Sequence, residues 1–341
     1  MIIVRAPMRI SFVGGGTDLS DFYTKTPGRV ISAAIDKYVY VTINRAPLLP
    51  KVTARYSISE TANHPRELKN DRIREALLHL GIHSHIDVGN FNDLPVKTGL
   101  GSSSSFTVAL VKALQTCQGK DCGPEEAAEL AAKVEIDLLK EPIGKQDQYA
   151  SAFGGINIFQ FNPDHSVSVR PVSISPARQS DFEDHLQVFY TGITRLASSV
   201  LAEQKANTEK KRETLQKMAD SVFEFRDGLV AGDFEKLGAM LHDGWTMKRT
   251  LASNVSNSVI DELYAAGRSA GAWGGKLLGA GGGGCVMFLS PLDKKDAVKR
   301  SVEAVAKKNN LEEFTEAPVR FAKSGVEVLM NNGFGEHTQF A

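Results

Sequence analysis

Pro95-Val96-Lys97-Thr98-Gly99-Leu100-Gly101-Ser102-Ser103-Ser104-Ser105 runs directly into an apolar-periodic stretch ending at Cys117. Phe106, Leu110, Leu114 and Cys117 recur every three to four residues, which predicts a helix starting at about Ser102. Glycines let a backbone approach an anion closely. A helix start adds unpaired N–H groups and the positive end of a dipole, which together hold a phosphate. A glycine turn with one serine cap would be an ordinary helix start. Four serines exceed what capping needs, and serine is a mediocre helix former. The segment therefore reads as a phosphate loop, with Gly99, Leu100, Gly101, Ser102, Ser103 and Ser104 as its binding residues.

Two further glycine-rich segments flank it. Near the N-terminus, an extended apolar stretch from Met1 ends in Phe12-Val13-Gly14-Gly15-Gly16-Thr17-Asp18-Leu19. Thr17 or Asp18 can cap a short helix, but three glycines before them suggest a close approach to the backbone. Near the C-terminus, Gly279-Ala280-Gly281-Gly282-Gly283-Gly284 formally matches G-x-G-x-x-G. A dinucleotide fingerprint needs a strand before it and a helix after it. Here a helical stretch is expected before it and the apolar strand Cys285 to Leu289 follows, so it reads as a loop for close backbone packing beside another site. No G-x-x-x-x-G-K-[ST] occurs anywhere, which excludes a P-loop enzyme.

The 341 residues suffice for about two domains. Lys+Arg and Asp+Glu are 40 each, a balance that argues against a dedicated nucleic-acid or membrane-surface binder. Cys117, Cys122 and Cys285 form neither a disulfide framework nor a zinc set, which points to a reducing compartment. Arg5 and Arg9 interrupt the N-terminal apolar stretch, and no run approaches the roughly 20 apolar residues that span a bilayer. The expectation is a cytoplasmic enzyme with no membrane segment.

Strand is expected for Val30 to Asn44 and Ile86 to Phe91, and helix for Arg66 to Leu80 and from Gly123-Pro124-Glu125 to about Leu139. The serine- and proline-rich stretch Ser166 to Ser180 marks a boundary, giving domains 1–180 and 181–341. The second half predicts one long helix over Ala202 to Gly228, a face of Phe234, Leu237, Leu241 and Trp245, and further helices over Ser258 to Arg268 and Asp293 to Lys308. Strands and helices mix without a strict βαβ rhythm, so the fold class is α+β rather than doubly wound.

In this order and spacing the three glycine segments resemble the motifs of the GHMP kinase superfamily: galactokinase, homoserine kinase, mevalonate kinase and phosphomevalonate kinase. The first motif is Ala6 to Asp18, the second Pro95 to Ser105, the third Leu278 to Gly284. The resemblance runs through essentially the whole chain. It implies a two-domain fold with a mixed-sheet N-terminal domain and a ferredoxin-like C-terminal domain. Pro142-Ile143-Gly144-Lys145-Gln146-Asp147-Gln148 is similar to the G-x-x-D-Q segment of the sugar kinases, which implies Asp147 as catalytic aspartate and Arg9 as its basic partner. The cofactors implied are ATP and Mg²⁺, the ion on Ser103 and Glu135, with Ser104 as a rival to Ser103. Gly15, Gly16, Thr17, Asp18, Gly281 and Gly282 are implied on the substrate side.

Within the superfamily, Phe12 to Leu19 and Leu241 to Arg249 resemble the heptose-phosphate kinases, with the kinase part of fucokinases nearby. That implies ATP-dependent phosphorylation of the C1 hydroxyl of a sugar phosphate, a heptose 7-phosphate, for GDP-heptose and surface polysaccharide. A phosphorylated substrate needs a second anion receptor, for which Arg195, Lys248 and Arg249 are the candidates. A fucokinase-like use of an unphosphorylated sugar, or a non-catalytic sugar and ATP sensor, are the alternatives. The partners expected are the sugar phosphate and ATP, with no nucleic acid or membrane and with room for a homodimer.

Overall fold

The computed structural model describes residues 1–194 and 197–332. Eight strands build the first sheet: β1 (Ile2–Val13), β2 (Gly28–Arg45), β3 (Val52–Arg55), β4 (Ser59–Ala62), β5 (Ile86–Asn92), β6 (Ile156–Phe161), β7 (Val167–Pro171) and, late in the chain, β12 (Glu327–Asn331). Four build the second: β8 (Leu186–Tyr190), β9 (Gly274–Leu277), β10 (Cys285–Leu289) and β11 (Thr315–Glu316).

The first sheet is mixed. Its path runs β12-β1-β2-β5-β3-β4, and only β3–β5 is parallel. β2 is long enough to serve two partners on one edge: residues 39–45 pair with β5 and residues 28–33 with β6. Pro7 lies inside β1 and has no N–H to give the ladder. The β1–β2 register shifts between Pro7 and Arg9, and Arg9 N donates instead to Leu100 O at 2.9 Å. A proline-linked irregularity thus ties the first glycine motif to the second.

Helix Ser102–Cys117 is buried on nearly every side, as its near-continuous apolar and small residues require. Gly101 precedes it with φ +80°, a left-handed position that suits glycine. Helix Pro124–Ala132 opens on proline and glutamates and continues into a π-helical turn, Lys133–Leu138. Such turns rotate the side chains that follow, and here Glu135 ends fully buried.

The second sheet is antiparallel in the order β11-β8-β10-β9. Helices Arg212–Ala231, Phe234–Arg249 and Ser258–Ser269 lie between β8 and β9 in sequence, and helix Lys295–Lys308 lies between β10 and β11. This is the split βαββαβ pattern of a ferredoxin-like domain. Helix Phe234–Arg249 lies against β9 so closely that a Cβ on Gly274 would sit 1.8 Å from Gly238 O. Phe12 stacks on Phe225 at 5.3 Å and meets Phe182 edge-on at 5.6 Å, so one aromatic core joins β1 to the helical layer. A separate core behind the second sheet holds Phe189, Trp245, Tyr264 and Phe288.

Three expectations change. The long helix over 202–228 is two, Ala197–Asn207 and Arg212–Ala231, and no glycine or proline in sequence announces the break. The residues just before Gly279 are strand β9, because Gly274 and Gly275 carry no side chains to show alternation. β9 and β10 are hairpin partners around the glycine loop, and no helix follows it, so the dinucleotide reading stays excluded. Residues 327–331, from the second half of the chain, pair with β1 in the first sheet.

Candidate active site

The three glycine segments meet. A Cβ on Gly99 would lie 2.7 Å from Leu278 O, and one on Gly279 would lie 2.7 Å from the Cα of Gly99. Cys285 N donates to Thr98 O at 2.8 Å. The third segment is therefore packed backbone to backbone on the second, with no space for side chains between them. A cavity of about 510 Å³ opens at this junction, within the range of small-molecule sites.

The N-terminus of helix Ser102–Cys117 forms one wall, where Gly99, Gly101, Ser102, Ser103 and Ser104 line the cavity. Leu100 does not: its side chain is in the core, and only its carbonyl serves the site, accepting from Arg9 N.

Arg9 and Asp147 meet in the cavity as a bidentate ion pair. Arg9 Nε donates to Asp147 Oδ1 at 2.7 Å and Nη2 to Oδ2 at 2.6 Å, while Nη1 donates to Gly99 O at 2.7 Å. Asp147 sits in the first turn of helix Gln146–Phe153, a favourable place for a carboxylate. Asp18 lies alongside and accepts from Gly16 N, Gln146 N and Gln146 Nε2. Burial, and then the charge of Asp147, push the Asp18 carboxyl above its usual range. Residue 144 must be glycine, since a Cβ there would lie 1.9 Å from Asp18 Oδ2.

Two buried lysines complete the basic side of the cavity. Lys248 donates to Gly279 O, and burial, with repulsion from Arg9, pushes it down to about 8. Lys276 donates to Ser11 O and Phe12 O, both at 2.8 Å, and burial together with Lys248 and Arg9 lowers it well below an ordinary lysine. Sequence reasoning missed Lys276. Its signal was a lysine in an otherwise apolar and glycine stretch, Gly274-Gly275-Lys276-Leu277.

Other expected residues lie elsewhere. Thr17 is buried beneath the cavity, its hydroxyl donating to Gly14 O or Arg29 O and accepting from Arg29 N, so it braces the first motif. Arg249 turns outward to Asp261 at 2.7 Å, because it follows Lys248 on the helix and so faces about 100° away. Gly282 gives its N–H to Val255 O, and it is its neighbours Gly281 and Gly283 that line the cavity. Gly15, Gly16 and Asp18 do line it. Arg195 lies outside the described residues.

Glu135 is fully buried beneath the serine loop rather than on the cavity wall. Its Oε2 accepts from Ser104 Oγ at 2.9 Å and Gln148 Nε2 at 2.5 Å, and its Oε1 from Thr107 Oγ1 at 2.9 Å and Arg72 Nε at 3.2 Å. Four donors fill the carboxylate. Because Ser104 gives its hydrogen to Glu135, its oxygen lone pairs remain for a cation. Ser103, Ser104 and the Arg72-bound Glu141 all line the cavity, and oxygen donors of this kind are the type that magnesium takes. Among the described residues no cluster of three or more His, Cys, Asp or Glu could hold a metal alone. Among the described residues, too, no helix is long and apolar enough to cross a membrane.

Residues 68–155 match the N-terminal domain of the GHMP kinases, and residues 225–308 match their C-terminal domain. The chain is 28% identical over 317 residues to the D-glycero-alpha-D-manno-heptose 7-phosphate kinase of Campylobacter jejuni subsp. jejuni serotype O:2, covering 87% of this chain and 92% of that enzyme. It is 31% identical over 278 residues to the mevalonate kinase of Pyrococcus horikoshii, covering 78% of this chain and 73% of that enzyme. The crystal structure of a D-glycero-D-manno-heptose 1-phosphate kinase from Bacteroides thetaiotaomicron shares the fold, with a TM-score of 0.79 over 98% of this chain and 100% of that one at 23% identity. The chain belongs to the GHMP kinase family.

The Glu135 arrangement has a measurable consequence. Glu135→Ala leaves a buried set of donors without an acceptor and strips Arg72 of one of its partners. Breaking one side of such a buried pair costs about 3–5 kcal/mol. Urea unfolding should show a loss of that order, and a loss below about 1 kcal/mol would mean that the network does not hold the loop.

Proposed function

We propose that the protein is an ATP-dependent kinase of a sugar phosphate, transferring the γ-phosphoryl group to the C1 hydroxyl of a heptose 7-phosphate. The observation that carries the reading is the pair of buried ammonium groups, Lys248 and Lys276, in the same cavity as Arg9 and Asp147. Three basic side chains, Arg9, Lys248 and Lys276, face two carboxylates, Asp18 and Asp147, at that end of the cavity. Among the described residues Lys276 meets only carbonyl acceptors, so an anionic substrate would favour its protonated form. The name of the Campylobacter relative supports the same substrate class. ATP as donor and three buried free cysteines support a reducing, cytoplasmic setting.

The chemistry required is in-line displacement at phosphorus. The sugar hydroxyl oxygen forms a bond to the γ-phosphorus, the bond to the bridging oxygen breaks, and ADP leaves. The N–H groups and dipole at Ser102–Ser104 hold the nucleotide phosphates. Ser103 and Ser104 would hold magnesium, which neutralises phosphate charge when bound. Each oxygen of Asp147 accepts one hydrogen bond from Arg9 and keeps a lone pair free, so it orients the hydroxyl and receives its proton. Arg9, held in place by Gly99 O, stabilises the charge on the group in transit.

Asp147→Asn should lower kcat by about two to four decades with ATP affinity near wild type. A variant within about threefold of the wild-type kcat would remove Asp147 from the mechanism.

The phosphorylated heptose should be preferred over the free heptose. A charge-assisted contact contributes about 1.5–3 kcal/mol, or about one to two decades in kcat/KM, and two lysines are available. Equal kcat/KM for the two sugars would move the assignment to a fucokinase-like enzyme acting on an unphosphorylated sugar.

The pH dependence follows from Lys248. An ammonium is charged below its pKa and neutral above it. KM for the phosphorylated sugar should therefore be flat at lower pH and rise through about 8. In Lys248→Met the KM should be uniformly high and that rise should vanish. An unchanged alkaline rise in the variant would assign the titration to another group.

A further inference from the structure

Helix Ala197–Asn207 presents Ser198, Leu201 and Gln204 to the cavity, one turn apart. Gln204 is only 3% exposed, and its buried Nε2 has no hydrogen-bond partner among the described residues. A carboxamide nitrogen carries two donors, and buried polar groups in folded proteins are almost always paired. Its neighbour across the gap is Gly16, where φ is +96° and a Cβ would lie 2.1 Å from that same nitrogen. The third glycine of the first motif therefore makes room for this amide.

A second orphan lies on the same stretch of wall. Ser11 lines the cavity, and its buried Oγ has no hydrogen-bond partner among the described residues. It stands 3.8 Å from the Cβ position of Gly15. Two unpaired polar groups thus flank Gly15–Gly16, apart from the serine loop that faces the nucleotide. Both are neutral, so they suit the oxygen of a hydroxyl better than a phosphate, for which the two lysines serve.

We infer that Gln204, with Ser11, is a specificity-determining pair that reads one hydroxyl of the sugar. The inference rests on the sugar-kinase reading above. Gln204 binds substrate without touching the transferred phosphoryl group, so its removal should raise the KM for sugar and leave kcat and the KM for ATP little changed.

The test compares wild type with Gln204→Leu on heptose 7-phosphate, on a panel of free aldoses and on their monodeoxy analogues. With the parent sugar, Gln204→Leu should lower kcat/KM by about tenfold to a hundredfold. With one particular deoxy analogue the two proteins should be equal, which locates the hydroxyl. The melting temperature should hold or rise, since a buried unpaired amide has been replaced by an apolar group of similar size. Gln204→Asn, one methylene shorter, should show the same analogue-specific loss and carries the comparison if the leucine variant fails to fold. Equal losses on every analogue, or a variant indistinguishable from wild type on every sugar, would overturn the role of Gln204 alone. A wild-type chain that phosphorylates none of the sugars would overturn the sugar reading and this assignment with it.

Discussion

Arg9 is the point on which the site turns. Its backbone N–H goes to Leu100 O because the proline two residues earlier displaces the ladder. Its guanidinium then divides between the carbonyl of Gly99 and both oxygens of Asp147. One residue thereby ties together strand β1, the serine loop and the helix that carries Asp147. The planar fork of arginine makes this feasible, since a lysine would supply a point charge without the parallel pair of bonds. Burial strengthens each of these contacts by excluding competing water.

The glycines act at the next level out. Gly99 and Gly279 touch through their backbones, and Gly284 stands against Thr98 O, where a Cβ would lie at 2.5 Å. Side chains at these positions would separate the two sheets and widen the cavity. Close contact brings Lys248 and Lys276, both from the second half of the chain, within electrostatic reach of Arg9. Burial and the mutual repulsion of these basic groups lower both lysines.

Beneath the loop, Glu135 works through its neighbours. The π-helical turn delivers it to the base of helix Ser102–Cys117, where four donors hold it. Its bond from Ser104 fixes the direction of that hydroxyl, and its pair with Arg72 reaches the cavity edge through Glu141. The serine loop is thus supported on both sides, by Arg9 above and Glu135 below.

Local chemistry was legible in the sequence. The glycine turn, the helix behind it and the α+β class follow from glycine, serine and apolar spacing, because those preferences are set by neighbours along the chain. The motif resemblance led to Arg9, Asp18 and Asp147, and the structure brings these three together. Long-range placement was not legible. Lys276 carried no reading in the sequence, Gln204 fell within a long predicted helix, and Glu135 was expected to hold the magnesium ion. Arg249 looked as useful as Lys248 until the helix turned one inward and the other out to Asp261. Whether a side chain faces a cavity, a core or solvent depends on which distant backbone lies beside it. Only the packing of β1, the serine loop and the β9–β10 hairpin against one another decides that.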